Sequence, residues 1–68
     1  MNAASVEKAA LAGNLLVHEP SKRIYKPLSL GMTKDNGKWV KGLTYQLFNG
    51  QGTWTRPLTD FKNFKERD

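Results

Sequence analysis

His18, Arg56 and Trp39 are the residues of this chain whose chemistry and neighbours first invite a functional reading. His18 is the only histidine and there is no cysteine, so a metal site would have to be built from carboxylates. Its neighbour Glu19 points to the opposite side of an extended chain, so the two cannot share a ligand. Acid–base catalysis would also need a partner positioned against the imidazole, which the spacing does not supply. A structural or hydrogen-bonding role is the simpler reading of His18. Asp35, Asp60, Glu66 and Asp68 are scattered through turns and the tail, without the paired placement of glycosidase or nuclease carboxylates. Asn49-Gly50-Gln51-Gly52 lacks the lysine and the following helix of a phosphate loop, and reads as a turn. No catalytic residue, cofactor, metal or small-molecule substrate is expected, and the chain reads as a non-enzyme.

Binding chemistry is better represented. Trp39 follows an Asn-Gly turn and is flanked by Lys38 and Lys41, and an aromatic ring among lysines is the arrangement that single-stranded nucleic acid stacks on. The formal charge of +5 is confined: Lys22, Arg23, Lys26, Lys34, Lys38 and Lys41 face only Asp35 between residues 21 and 41, while the remainder balances five cations against five acids. Such an excess attracts phosphates or an acidic protein face through a field that salt weakens. The candidate contact set is therefore Lys22, Arg23, Lys26, Lys34, Lys38, Trp39 and Lys41, for nucleic acid or an acidic partner. The plainer reading is that the lysines are a solvated surface and Trp39 covers an edge of the sheet. Arg56 lies between Trp54 and Pro57, and in a strand Trp54 and Arg56 share a face. With Trp54 in the core, Arg56 sits at its rim, where it can pair with Asp60, bond backbone carbonyls or stack on a ring. Trp54, Arg56 and Asp60 are thus candidates for a structural clamp rather than for ligand contact.

The elements that must position these residues are short. Ala3 to Ala12 suits a helix, with Val6, Ala10 and Leu11 as its apolar stripe and Gly13-Asn14 as its stop. Leu15 to His18 reads as a strand closed by Glu19-Pro20-Ser21-Lys22. Arg23 to Lys26 restarts the sheet, Pro27 bends it, and Leu28, Leu30 and Met32 recur at period two and are expected to face the core. Asn36-Gly37 predicts a hairpin turn. The run from Trp39 to Phe48 follows, with Gly42 as the expected bulge or bend. Thr53 to Arg56 is the next strand, ended by Pro57. Leu58 to Phe64 reads as a turn or helical turn in which Phe61 and Phe64 close the core, and residues 65–68 are expected to fray. This divides the 68 residues into an N-terminal helical extension (1–14), a barrel (15–64) and a tail, with one core only.

The residues from His18 to Phe61, with Tyr25, Leu28, Thr44-Tyr45-Gln46 and Trp54-Thr55-Arg56-Pro57-Leu58 between them, resemble a small bacterial domain family with an SH3-like barrel. Its pattern has an aromatic where this chain has Leu16, and does not require the Ala-rich stretch from Met1 to Gly13. The resemblance implies a fold and carries no activity with it. The expected class is therefore mainly β, a small SH3-like antiparallel barrel of about five strands with a short N-terminal helix. The expected role is a non-catalytic module binding nucleic acid or an acidic protein face. A rival is a protein-interaction or self-assembling accessory module that docks through apolar surface or an edge strand. The lack of cysteine, of a long apolar run and of a leader-like start fits a cytoplasmic protein without membrane contact, as small accessory proteins of bacteria and phages are.

Overall fold

The computed structural model describes residues 1–67 and opens with helix α1 (Ala3–Ala12). The Asn2 side chain accepts the Ser5 amide hydrogen at its start, and Gly13, at φ +73°, ends it in a left-handed turn. There the Gly13 and Asn14 amides return to the carbonyls of Ala10 and Ala9, satisfying two otherwise unpaired groups. Strands follow at β1 (Leu16–His18), β2 (Arg23–Asp35), β3 (Lys38–Leu47), β4 (Thr53–Pro57) and β5 (Phe64–Glu66), with a short 3-10 helix at Leu58–Asp60. They form one antiparallel sheet in the order β4-β3-β2-β1-β5, which bends around the core as a small barrel-like globule. The mainly β, five-stranded class with a short N-terminal helix is as the residues predict.

The spine is the β2–β3 ribbon. It turns at Asn36 (φ +51°) and Gly37 (φ +77°), the conformation that a two-residue hairpin loop requires and that this pair adopts readily. Pro27 lies opposite Tyr45 and Ser29 opposite Thr44, so Leu28 is the extra residue of a bulge. The bulge removes Leu28 from the expected inward set. Before it Tyr25 and Pro27 face inward, and after it the inward set becomes Leu30, Met32 and Lys34. Leu28 is left exposed, Leu30 packs against the core, and Met32 faces the same way but lies beyond the core's edge, 58% exposed. Gly42, read as a bend, stands in regular register between Gly31 and Pro57. What it provides is a close approach, since a β-carbon there would lie 2.7 Å from the Thr33 methyl and 3.0 Å from the Arg56 carbonyl oxygen.

The buried core is Val6, Ala9, Leu16, Tyr25, Leu43, Tyr45, Leu58, Phe61 and Phe64. The helix therefore docks through Val6 and Ala9, while Leu11, expected in its stripe, is 75% exposed on the far side. Phe61 and Phe64 close one end as their spacing predicts, their ring centroids 4.9 Å apart. The expected fraying of the tail is corrected for the residues described. Glu66, Lys65 and Phe64 pair with Leu16, Val17 and His18, and the Arg67 amide donates to the Leu15 carbonyl at 2.8 Å. The free edge of β1, with Phe64 anchored beside it, supplies the hydrogen bonds that hold this stretch, and Asp68 lies outside the described residues.

Two glycines that face each other across the ribbon separate space from propensity. Gly42→Ala should destabilise the fold by about 1–3 kcal/mol, because its methyl meets a backbone oxygen. Gly31→Ala, whose methyl meets nothing within 4 Å, should leave stability unchanged or raise it slightly. Urea unfolding of the two variants checks the contrast.

Candidate functional site

The inward face of the ribbon overshoots the core at its hairpin end. Lys34 lies opposite Trp39 and Met32 opposite Lys41, so these four side chains share that face where the helix no longer covers it. Trp39 is 64% exposed, and the Lys34 ammonium lies 5.5 Å from its ring centroid, a cation–π contact that orients the indole. Lys41 reaches back to Glu7 of α1 at 3.4 Å, an exposed pair worth at most about 1 kcal/mol. Lys38 lies opposite Asp35 beside the turn, on the other face of the strand.

The six basic residues of the middle segment are not gathered into one patch. Lys22, Arg23 and Lys26 stand at the start of β2, and Lys34, Lys38 and Lys41 at the hairpin end. Eight strand residues from Lys26 to Lys34 span about 26 Å. Within the first group, Arg23 lies opposite His18 and shares its face, whereas Lys26 lies opposite Gln46 on the outer face. Lys22, at φ +62°, closes the β1–β2 turn through its amide to the His18 carbonyl.

At this second end the residues considered for a clamp meet the only histidine. His18, Tyr25, Tyr45, Trp54, Arg56 and Phe64 line a shallow groove of about 150 Å³ at the mouth of the barrel. The Trp54 ring lies nearly parallel to Tyr45, with centroids 6.0 Å apart and planes at 27°, and Tyr25 meets both edge-on at 5.2–5.7 Å. Trp54 faces the core side but is 41% exposed, so it forms a wall of the groove rather than part of the interior. Gly52 makes that position possible, since a β-carbon on it would lie 2.5 Å from the far edge of the indole. Arg56 Nη1 is 3.5 Å from Asp60 Oδ2, the pairing weighed for it, though both side chains remain exposed. His18 packs on Phe64 with ring centroids 5.0 Å apart, and its Nδ1 shares a 2.7 Å hydrogen bond with Ser21 Oγ. Burial pushes the Tyr45 phenol above its ordinary value, and the Arg56 guanidinium beside it draws it part of the way back.

Sequence reasoning named Trp54 and Arg56 together with Asp60 as a clamp and His18 apart from them, but not the groove they form with Tyr25 and Tyr45. The cross-strand pair Tyr45–Trp54 creates it, and that pairing depends on the length of the turn between β3 and β4. Among the described residues no group of three or more His, Cys, Asp or Glu side chains converges as a metal site would require, and no helix is long and apolar enough to cross a membrane. Comparison with known proteins yields no matching family model, no matching curated protein and no matching solved structure.

The raised Tyr45 phenol has a consequence at high pH. The fold favours its neutral form, so the associated stability is complete below the unfolded value of about 10 and is lost as pH rises through the higher folded value. Tyr45→Phe should therefore lose less stability than the parent above about pH 10, which thermal unfolding at a series of alkaline pH values measures.

Proposed function

We propose that this protein is a non-catalytic binding module that holds single-stranded nucleic acid on the overhanging face of its β2–β3 ribbon. The observation that carries the reading is Trp39, an exposed indole with the Lys34 ammonium 5.5 Å from its ring and Lys41 and Lys38 nearby on β3. A base stacking on the open side of Trp39 gains about 1–3 kcal/mol, and Lys34 and Lys41, on the same face, meet the phosphates on either side. An acidic protein face would answer the same charge but would make no use of an open indole, which is why nucleic acid is preferred. A cytoplasmic location belongs to the same reading.

A second reading, docking on another protein, draws support from the open edge of β4 and from the exposed apolar residues Leu11, Leu28 and Phe48. An unpaired strand edge offers backbone hydrogen bonds to an extended segment of a partner.

The two readings separate by salt. Two phosphate contacts on a single strand lower affinity roughly sevenfold between 50 and 200 mM salt, because each contributes about −0.7 to the logarithmic slope. Fluorescence anisotropy of a labelled hexathymidylate should show that dependence. The Lys34→Glu/Lys41→Glu double variant should abolish most of the binding, and Lys62→Glu, outside the ribbon, should leave most of it. Binding that is insensitive to salt and to the double variant rules out the ribbon as the interface.

A further inference from the structure

We infer that the groove at the mouth of the barrel is a second nucleotide subsite, taking a base against Trp54 and its phosphate on Arg56; this deepens the reading of the protein as a single-strand binder and rests on it. The shape of the groove selects a flat ligand. Its volume of about 150 Å³ is half of the roughly 300 Å³ at which pockets begin to enclose a small molecule, so it accepts one planar group laid against a wall. The wall is aromatic, since Trp54 is backed by Tyr45 and braced edge-on by Tyr25, which fixes the indole plane before any ligand arrives. Pre-set rings lose little freedom on binding, so more of the stacking energy is retained.

The charge at the groove selects the rest of the ligand. Arg56 forms part of its lining, and its one acidic contact, Asp60, is a single exposed approach at 3.5 Å. A planar guanidinium held so lightly can turn to a phosphate, which it grips with two parallel hydrogen bonds. Arg23, opposite His18 in the ladder, lies outside this lining and two strands from Arg56, so Arg56 alone meets the phosphate. This rim opposes a methylated ammonium, the usual guest of an aromatic cage, because its charge has the same sign. A proline-rich peptide would use the rings but leave Arg56 without a role. A base with its phosphate uses both.

The groove and Trp39 are separate. Six residues of β3, about 20 Å, divide Trp39 from Tyr45, and α1 is seated between them with Glu7 on Lys41. Each end must therefore bind its own nucleotide, and the chain's two tryptophans report on them independently. In Trp39→Phe the remaining indole lies in the groove, and in Trp54→Phe it lies on the ribbon.

Both single-tryptophan variants would be titrated with hexathymidylate at 50 mM salt, and fluorescence quenching followed. Quenching of Trp54 in Trp39→Phe is expected, with the affinity lowered about tenfold or more by adding Arg56→Gln and largely kept by Arg56→Lys. Circular dichroism of each variant establishes that it is folded. Quenching of Trp39 with Trp54 silent overturns the groove and leaves the ribbon reading standing. Quenching of Trp54 with Trp39 silent supports the groove and removes the ribbon. A Trp54 response to a proline-rich peptide but not to the oligonucleotide overturns the proposal in favour of a peptide site. Quenching that Arg56→Gln leaves unchanged overturns the assigned phosphate contact.

Discussion

The β2–β3 ribbon is longer than the core it has to cover, and most of the surface chemistry follows from that mismatch. Ten of the thirteen residues of β2 pair with the ten of β3, yet along β3 the buried stretch runs only from Gly42 to Tyr45. The helix and the 3-10 turn fill the middle with Val6, Ala9 and Leu58 and leave both ends of the ribbon open. The inward alternation of β3 continues past the core regardless, because side chains in a strand alternate whether or not anything packs on them. Trp39 and Met32 are thus apolar residues on a core-facing stripe that has run out of core. At the other end the same stripe meets Trp54, which only partly closes the mouth.

Within the core, Tyr45 links interior and surface. Its ring contacts Phe61 and Phe64 on the buried side and Tyr25 and Trp54 on the open side, with centroids between 5.2 and 6.0 Å. Such pairs contribute about 0.5–1.5 kcal/mol each beyond the area they bury. In a 68-residue chain without disulfides, a set of this size is a large share of a net stability of about 5–15 kcal/mol. The groove is therefore built from residues the fold already needs, which makes its shape stiff and its walls hard to alter without loss of stability. Arg56 and Arg23 are different, because both are exposed and neither packs in the core. Substitution of either therefore costs the fold little.

What was legible in the sequence was local. The helix stop at Gly13 and the hairpin at Asn36-Gly37 each depend on a few consecutive residues and on the positive φ that those types tolerate, and both stand where they were expected. The Leu28 bulge was not legible, because it depends on Tyr45 and Thr44 opposing Pro27 and Ser29 from another strand. Leu30 and Met32 follow the period-two reading, and Leu28 departs from it because it is itself the inserted residue. The tail failed for the same kind of reason: Lys65 and Glu66 have no local preference for a strand and become one because β1 offers a free edge. Confinement of charge to residues 21–41 was plain in the sequence. Its division into two groups was not, since it needs the length of β2 and the alternation along it.

That division changes how the charge acts. Screening reduces fields over about 10 Å at 0.1 M salt, whereas the two basic groups are separated by about 26 Å of strand. Neither group strengthens the other's local potential, so a net charge of +5 does not behave as one strong patch. It behaves as two weak sites on a rigid frame. Two weak sites held at a fixed distance act in concert only through a ligand long enough to reach both, and then the second contact is intramolecular and its effective concentration is set by the span. A flexible single strand satisfies that condition by passing around α1, while a mononucleotide engages one end at a time. Affinity that climbs steeply with oligonucleotide length, rather than in proportion to charge, is what this geometry requires of a single-strand ligand.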